Sequence, residues 1–416
     1  MPAMIPIPLD LPEVKVLHTE TSAQGEIIIT VESTREGTKC RRCGRPIKQF
    51  HGYDEPLRLR HLPVFEQRVL IEIRPKRYRC PHCEGGPTTT QRCRWYDPRS
   101  PHTKAFEQSL LRGLINSTVV DVSRKFGLTA EAVEGVLERG IAEQVDWGRF
   151  EHLGVLGLDE IALRKGHRDF VTIVTRRDPA GEIALLAVLP DRRKETVAAF
   201  LASIPEALKA TVDQVCTDMY EGFLNAVHDT LPQAKVVVDR FHVAKAYRGC
   251  VEALRRQEIK RLKAGLSQEA YEAQVKGTLW LFRRSWPDLT AQEKQRLEGL
   301  FELSPALRVA HMMREVMTAI FEQATSKAQA QTWMRMWREY IVIHSIKGFE
   351  SFFTTLDNHW DAITNYFLDR NNSGFVEGLN NKIKVLKRRC YGLLDVRRLF
   401  QRLTLDLEGY RLFGYA

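Results

Sequence analysis

Three apolar runs in the middle of this 416-residue chain each end on an aspartate, and no other feature restricts its fold so tightly. Val155 to Leu158 leads into Asp159, Val212 to Cys216 into Thr217-Asp218, and Lys235 to Val238 into Asp239. A second β-branched run, Phe170 to Val174, follows the first across a polar bend, so Leu153 to Thr175 reads as a hairpin. An ionised carboxylate buried where a strand runs out costs several kcal/mol unless positive charge balances it, and a metal ion would do so. Taken alone, Asp159 reads as a strand-end acid facing water. Its recurrence in matching settings is what points to metal.

The intervening segments supply the connections. Asp178-Pro179-Ala180-Gly181 is a turn, Ile183 to Leu189 a third strand, and Glu195 to Leu208 an amphipathic helix with Val197, Phe200, Leu201 and Ile204 on one side. A short helix through Val227 separates the fourth and fifth strands. The order βββαβαβα predicts a mixed sheet in which strands one, four and five are parallel neighbours. Asp159 and Asp218 then lie at the carboxyl ends of adjacent strands, where they repel each other unless a divalent cation lies between them.

Charge and cysteine usage narrow the class. The 62 Lys and Arg against 52 Asp and Glu give +10 and a pI near 9.2, which favours a polyanionic partner, most often nucleic acid. No stretch has the length of a membrane span and residues 1–16 lack the pattern of a signal peptide, so the expectation is a soluble, cytoplasmic protein with no membrane partner. Four of the eight cysteines form two C-x-x-C knuckles, Cys40/Cys43 and Cys80/Cys83. They read as a structural Zn²⁺ site rather than a redox dithiol, with the alternating Arg68 to Ile73 returning the second knuckle to the first. Cys93 is a spare that could replace one ligand. Residues 35–99 carry 16 Lys or Arg against 7 Asp or Glu, so this module, residues 1–100, is suited to lie on phosphates.

Residues 101–148 read as a small helical domain. Phe106, Leu110, Leu111, Leu114 and Ile115 repeat at helical spacing; Val119 to Phe126, a Gly127-Leu128-Thr129 turn and Ala130 to Ile141 then give a helix-turn-helix pattern capped by Thr129. The second helix carries Glu131, Glu134 and Glu138, poor chemistry for a major groove. After a first part of the core at 149–244, residues 245–365 form a helical insertion. Its first helix is rich in Lys and Arg, either tracking a DNA backbone or forming a solvated face. Most of its tryptophans read as packing. Arg283 and Arg284, between Trp280 and Trp286, are the best candidates there for contact with an unpaired base.

In residues 366–416, Asn371-Asn372-Ser373-Gly374 breaks one helix and caps the next, whose apolar stripe is Phe375, Leu379, Ile383 and Leu386. Glu377 lies off that stripe and shares a face with Asn381, Lys384 and Arg388. Together with Lys382 and Lys387 this row suits a phosphodiester lying along the helix. From Lys382 to Arg411 there are nine Lys or Arg against three Asp or Glu.

The strand series with its two aspartates resembles the RNase H-like fold of the DDE transposases, and Asp239-x-x-His242 is similar to a signature found in several of their families. With the C-x-x-C pairs, the phrases TDMYEGF, VVVDRFHVAKAY and NSGFVEGLNNKIKVLKRR resemble the zinc-finger insertion-sequence transposases of the ISL-three family, over essentially the whole chain. Glu84-Gly85-Gly86-Pro87 departs from the family, which often continues there with a basic or cysteine-bearing run. The resemblance implies a catalytic triad of Asp159, Asp218 and Glu377 holding two Mg²⁺ (or Mn²⁺) ions about 4 Å apart, with hydrolysis at the element's ends and then attack of the freed 3′ hydroxyl on target DNA. Glu160, Asp239 and His242 are expected to support the ligands rather than bind metal; for His242, orienting a carboxylate or phosphate and simple packing both stand open. The implied partners are terminal inverted repeats and target DNA, with a homodimer to pair two ends. Two alternatives remain: a structure-specific nuclease of the same fold, and a transposase-derived DNA-binding regulator.

Overall fold

A computed structural model describes residues 8–162, 170–371, 374–390 and 395–414, without the side chains of 374–377, 379 and 380. The chain divides into two compact units, residues 1–142 with 404–416, and residues 143–403. No helix among the described residues is long and apolar enough to cross a membrane.

In the first unit, β1 (Val14–Thr21), β2 (Ile27–Ser33), β3 (Thr38–Lys39), β4 (Pro46–Ile47), β5 (Gln49–Tyr53), β6 (Leu57–Val64), β7 (Gln67–Ile73), β8 (Lys76–Arg79) and β9 (Thr88–Thr90) form three small sheets. One has the order β1-β2-β7-β6, another β5-β8-β9, and β3 pairs with β4. The alternation seen from Arg68 to Ile73 holds: Val69, Ile71 and Ile73 are buried against Val31, Leu59 and Trp95. Three helices follow, α1 (Lys104–Leu114), α2 (Val119–Phe126) and α3 (Ala130–Gly140). Threonine caps each of them: Thr103, Thr118 and Thr129 accept from the backbone N–H three residues on. Gly127 ends α2 at φ 59°, a left-handed conformation that favours glycine. Leu110, Leu114, Val122, Val133 and Val136 close the cluster, joined by Leu405.

The second unit is built on one five-stranded sheet. Its strands are β10 (Gly154–Ala162), β11 (Phe170–Arg177) and β12 (Ile183–Leu189), then β13 (Val212–Thr217) after helices α4 (Lys194–Ala202) and α5 (Glu206–Lys209), then β14 (Lys235–Val238) after α6 (Glu221–Thr230). The order is β12-β11-β10-β13-β14, with β10, β13 and β14 parallel neighbours and the other pairs antiparallel, as the sequence predicts. One expectation is corrected here. Glu195 to Leu208 is not a single helix, because the backbone turns at Ser203 and Pro205, lacking an N–H, starts the separate α5.

Both faces of the sheet are covered, which is why its strands read as continuous apolar runs. Leu156, Leu158 and Val215 pack with Val197, Leu201 and Phe223 of α4 and α6. On the other face Val155, Cys216 and Val237 join Val243 and Tyr247 of α7 (Arg240–Gly265). That second core continues through α8 (Gln268–Gln274), α9 (Leu279–Arg283), α10 (Ala291–Leu303), α11 (Pro305–Gln323), α12 (Lys327–Ile343), α13 (Glu350–Thr364) and α14 (Tyr366–Asp369). The insertion returns to the sheet at α13, where Asn365 Nδ2 donates to the Val236 carbonyl at 2.8 Å. Helix α15 (Gly374–Arg389) then packs beside β10, and α16 (Val396–Phe413) ends the chain.

Candidate active site and metal centre

Two places gather groups with chemistry to offer. In the first unit, each C-x-x-C knuckle sits in a hairpin turn, one between β3 and β4 and one between β8 and β9. Gly44 at φ 70° and Gly86 at φ 55° close the two turns, donating N–H to the carbonyls of Cys40 and Cys43's counterpart Cys83. The departing segment Glu84 to Pro87 is therefore the second turn itself, and Arg42 Nη1 ties to its Glu84 carbonyl at 3.3 Å. The sulfurs of Cys40, Cys43, Cys80 and Cys83 all lie within 4.8 Å of one another. A tetrahedral site with Zn–S bonds of about 2.3 Å has edges of about 3.8 Å, and Cys43 and Cys80 Sγ are 3.8 Å apart. The donor set fits a structural zinc ion. Backbone N–H groups of Cys43 and Arg42 hold the Cys40 thiol down at about 6, whereas burial and the neighbouring sulfurs push Cys83 up to about 12. Cys93 stands apart, packed with Trp95 and Val31 in the four-stranded sheet's core, where burial raises its thiol. It does not replace a ligand.

In the second unit the sheet lines up three aspartates. Parallel register pairs Gly157 with Cys216, and Asp159 and Asp218 each lie two residues further on. Thr217 pairs with Val238, so Asp218 and Asp239 are the next residues in their own strands' line. Strand side chains alternate, so Asp159 shares a face with Val155, and Asp218 continues that of Cys216. Both belong to the face covered by α7. One detail differs from the sequence reading: β10 does not stop at Asp159 but runs to Ala162, because β11 continues to pair with it while β13 ends at Thr217. Asp159 is thus half-buried inside a strand whose neighbour on one side has ended.

Asp218 accepts the Tyr220 N–H at 3.0 Å and Asp159 the Glu160 N–H at 2.7 Å. Burial raises the Asp218 carboxyl above its ordinary range; Tyr220's N–H, His242 and Arg192 oppose the shift and Glu160 adds to it. Glu160 is committed to Arg192 at 2.8 Å. Arg192 was missed in the sequence, although it opens the Arg192-Arg193-Lys194 run directly after β12. Its guanidinium also lies over the rings of Phe170 and Tyr220, 4.8 and 4.9 Å from their centroids. Gly222 makes room for that Tyr220 ring, since a Cβ there would lie 2.4 Å from it. Asp239 caps α7, accepting the Phe241 N–H at 2.9 Å, and His242 follows in the first turn.

The helix that carries Glu377 is held against the same strand. Lys387 Nζ donates to the Ala162 carbonyl at 2.6 Å, and Ile383 and Leu386 are buried. Upstream, Asn371 Nδ2 donates to Gln214 of β13 at 2.9 Å and its Oδ1 accepts from Arg177 of β11. Glu377 belongs to α15, but its side chain lies outside the described residues, as do Asn372 and Ser373. Asn381, Lys384 and Arg388 are exposed and Lys382 is half-buried. Arg283 pairs with Glu252 at 3.1 Å and Arg284 with Glu293 at 2.7 Å. Trp280 beside them is 70% exposed, whereas Trp337 is buried and Trp286, Trp333 and Trp360 pack against the core.

Comparison with known proteins follows this division of the molecule. Residues 156–403 match the model of the ISL3-group DDE transposases, described as "Transposase". The chain belongs to this transposase family. Residues 36–83 match its companion zinc-finger model, that of the transposases of IS204, IS1001, IS1096 and IS1165. Among similar proteins, the transposase for insertion sequence element IS1001 of Bordetella parapertussis is 29% identical over 92% of this chain and 91% of its own length. The transposase for IS1557 of Mycobacterium tuberculosis is 23% identical over 89% of this chain and 86% of its own. The family match spans the sheet, the helical insertion and α15, so the elements bearing all three acids fall within it.

Proposed function

We propose that this member of the family is a DNA transposase that recognises the terminal inverted repeats of its insertion sequence, cuts the strand there and joins the freed 3′ end to target DNA. The register that brings Asp159 and Asp218 together on one sheet face carries the reading. In it the five-stranded sheet is an RNase H-like core and Glu377, on the helix packed beside β10, is the third acid. Burial makes the Asp218 carboxylate costly to ionise, a cost that bound divalent cations would offset. Asp159, Asp218 and Glu377 would hold two Mg²⁺ (or Mn²⁺) ions, which supply an activated water and relieve charge on the leaving 3′ oxygen.

The chain's own groups do the rest. Arg192, half-exposed and steadied by Glu160 and two rings, presents a cation to the scissile phosphate. Asp239 fixes the start of α7 and so the position of His242 beside Asp218. Asn381, Lys382, Lys384 and Arg388 extend the phosphate track along α15, while Lys387 anchors that helix to β10. Helices α2 and α3 act as the helix-turn-helix, with phosphate contact falling to exposed Arg124 and Lys125 of α2 rather than to α3, whose outer face bears Glu131 and Glu138. The protein works as a homodimer on paired ends.

The test is incubation of full-length protein with labelled DNA carrying the element's inverted repeats and Mg²⁺. Wild type nicks at the repeat boundary and Asp218→Asn does not. Equal cleavage by both proteins would remove the assignment.

A further inference from the structure

Beside the start of α7 lies a cleft of about 540 Å³ that neither the acid row nor the zinc site uses. Its volume is that of a site for a small organic ligand. One wall is a single face of α7: Phe241, Lys245, Arg248 and Gly249 follow at spacings of four, three and one. Phe282 and Arg283 of α9 form the opposite wall. The far end is a polar cluster in which buried Arg314 donates to the carbonyls of Phe282 and Arg284 at 2.5 and 2.6 Å, and Glu315 accepts from Ser285.

Several features of the cleft are wasted on a purely structural role. Phe241 is 59% exposed, only two residues beyond Asp239 at the end of the sheet. Lys245 and Arg248 are exposed, and neither has a carboxylate partner among the described residues. Gly249 sits inside a 26-residue helix, where glycine costs about 1 kcal/mol relative to alanine. A Cβ there would meet nothing within 4 Å, so no packing constraint requires the glycine. What it does is leave the cleft wall open.

We propose that the cleft receives one unstacked nucleotide of the DNA strand leaving the acid row, its base against Phe241 and its sugar-phosphate backbone running along α7 past Lys245 and Arg248 and over the gap at Gly249. Aromatic faces and unpaired cations are the two elements that hold single-stranded nucleic acid. Phe241, which lines the cleft, lies two residues beyond Asp239 in the acid row, so a strand engaged there continues past Phe241. This inference rests on the proposed transposase activity, and it concerns binding alone.

The experiment measures fluorescence anisotropy of full-length protein, without divalent cations, on a labelled duplex and on the same duplex with a short single-stranded tail. Wild type is expected to bind the tailed probe about tenfold more tightly. Gly249→Leu, which fills the gap while improving helix propensity, should lose that increment and keep its melting temperature and its blunt-duplex affinity. Lys245→Ala with Arg248→Ala, a pair of surface changes, should lose it too, with a shallower salt dependence. An increment retained in both variants overturns the proposal. Failure of the Asp218→Asn test leaves these outcomes intact, so the two readings fall separately.

Discussion

The zinc site and the acid row reach their geometry by opposite routes. Each cysteine pair is set by one hairpin turn, so a spacing of three residues already determines where two sulfurs can go. Asp159 and Asp218 are 59 positions apart and meet only because β10 and β13 pair in parallel, with α4 and α5 crossing over between them. Local geometry makes a site that depends on its ion; geometry borrowed from a large core makes one that does not. The sheet beneath the aspartates is filled by Leu156, Val215, Cys216 and Val237, all buried whatever occupies the acids.

The largest expected effect separates the two sites on this ground. Structural zinc contributes about 10–16 kcal/mol to small domains that fold around it, so chelation or Cys80→Ala should unfold the two knuckles and the β5-β8-β9 sheet that carries the second of them. Hydrogen exchange should show that loss confined to the knuckles and the β5-β8-β9 sheet, leaving the Val31, Leu59, Ile71 cluster protected. Protection lost throughout the chain would break the contrast.

At the acid row the opposite is expected. Burial raises the Asp218 carboxyl, so the native state binds its proton more tightly than the unfolded chain does, and the metal-free protein loses stability as pH rises through that value. Asp218→Asn removes the loss. It should raise the melting temperature at neutral pH, abolish the further rise that Mg²⁺ gives wild type, and lower cleavage by about a thousandfold. A lower melting temperature in this variant would show that the carboxylate serves the fold.

Smaller changes sharpen the same distinction. Lys387→Met removes the bond from α15 to the Ala162 carbonyl, and loss of such positioning should lower cleavage about tenfold without touching zinc content. Cleavage kinetics beside metal analysis would read both. Cys93→Ala should cost about 1 kcal/mol in denaturant unfolding and leave one zinc per chain, since the thiol packs in the sheet core.

Legibility in the sequence follows the same line. The five strands, their order and the C-x-x-C pairs were readable because apolar runs and short spacings are local signals. The break at Ser203 to Pro205 was readable in principle from the proline, but the apolar positions Val197 to Ile204 masked it. Cys93 could not be placed, since a lone cysteine carries no spacing. Arg192 and its pairing with Glu160 depend on the segment after β12 reaching across β11 to β10, a tertiary event with no local signature. The extension of β10 past Asp159 has the same cause, as β11 alone sustains it.

On the proposed reading, Glu377 joins Asp159 and Asp218 around divalent metal. Electron paramagnetic resonance of Mn²⁺ titrated into the protein bound to inverted-repeat DNA tests it most directly. Wild type should take up two ions per active site and Glu377→Gln should lose one of them together with cleavage. Two ions and full cleavage in Glu377→Gln would show that Glu377 is not a ligand of the catalytic metal.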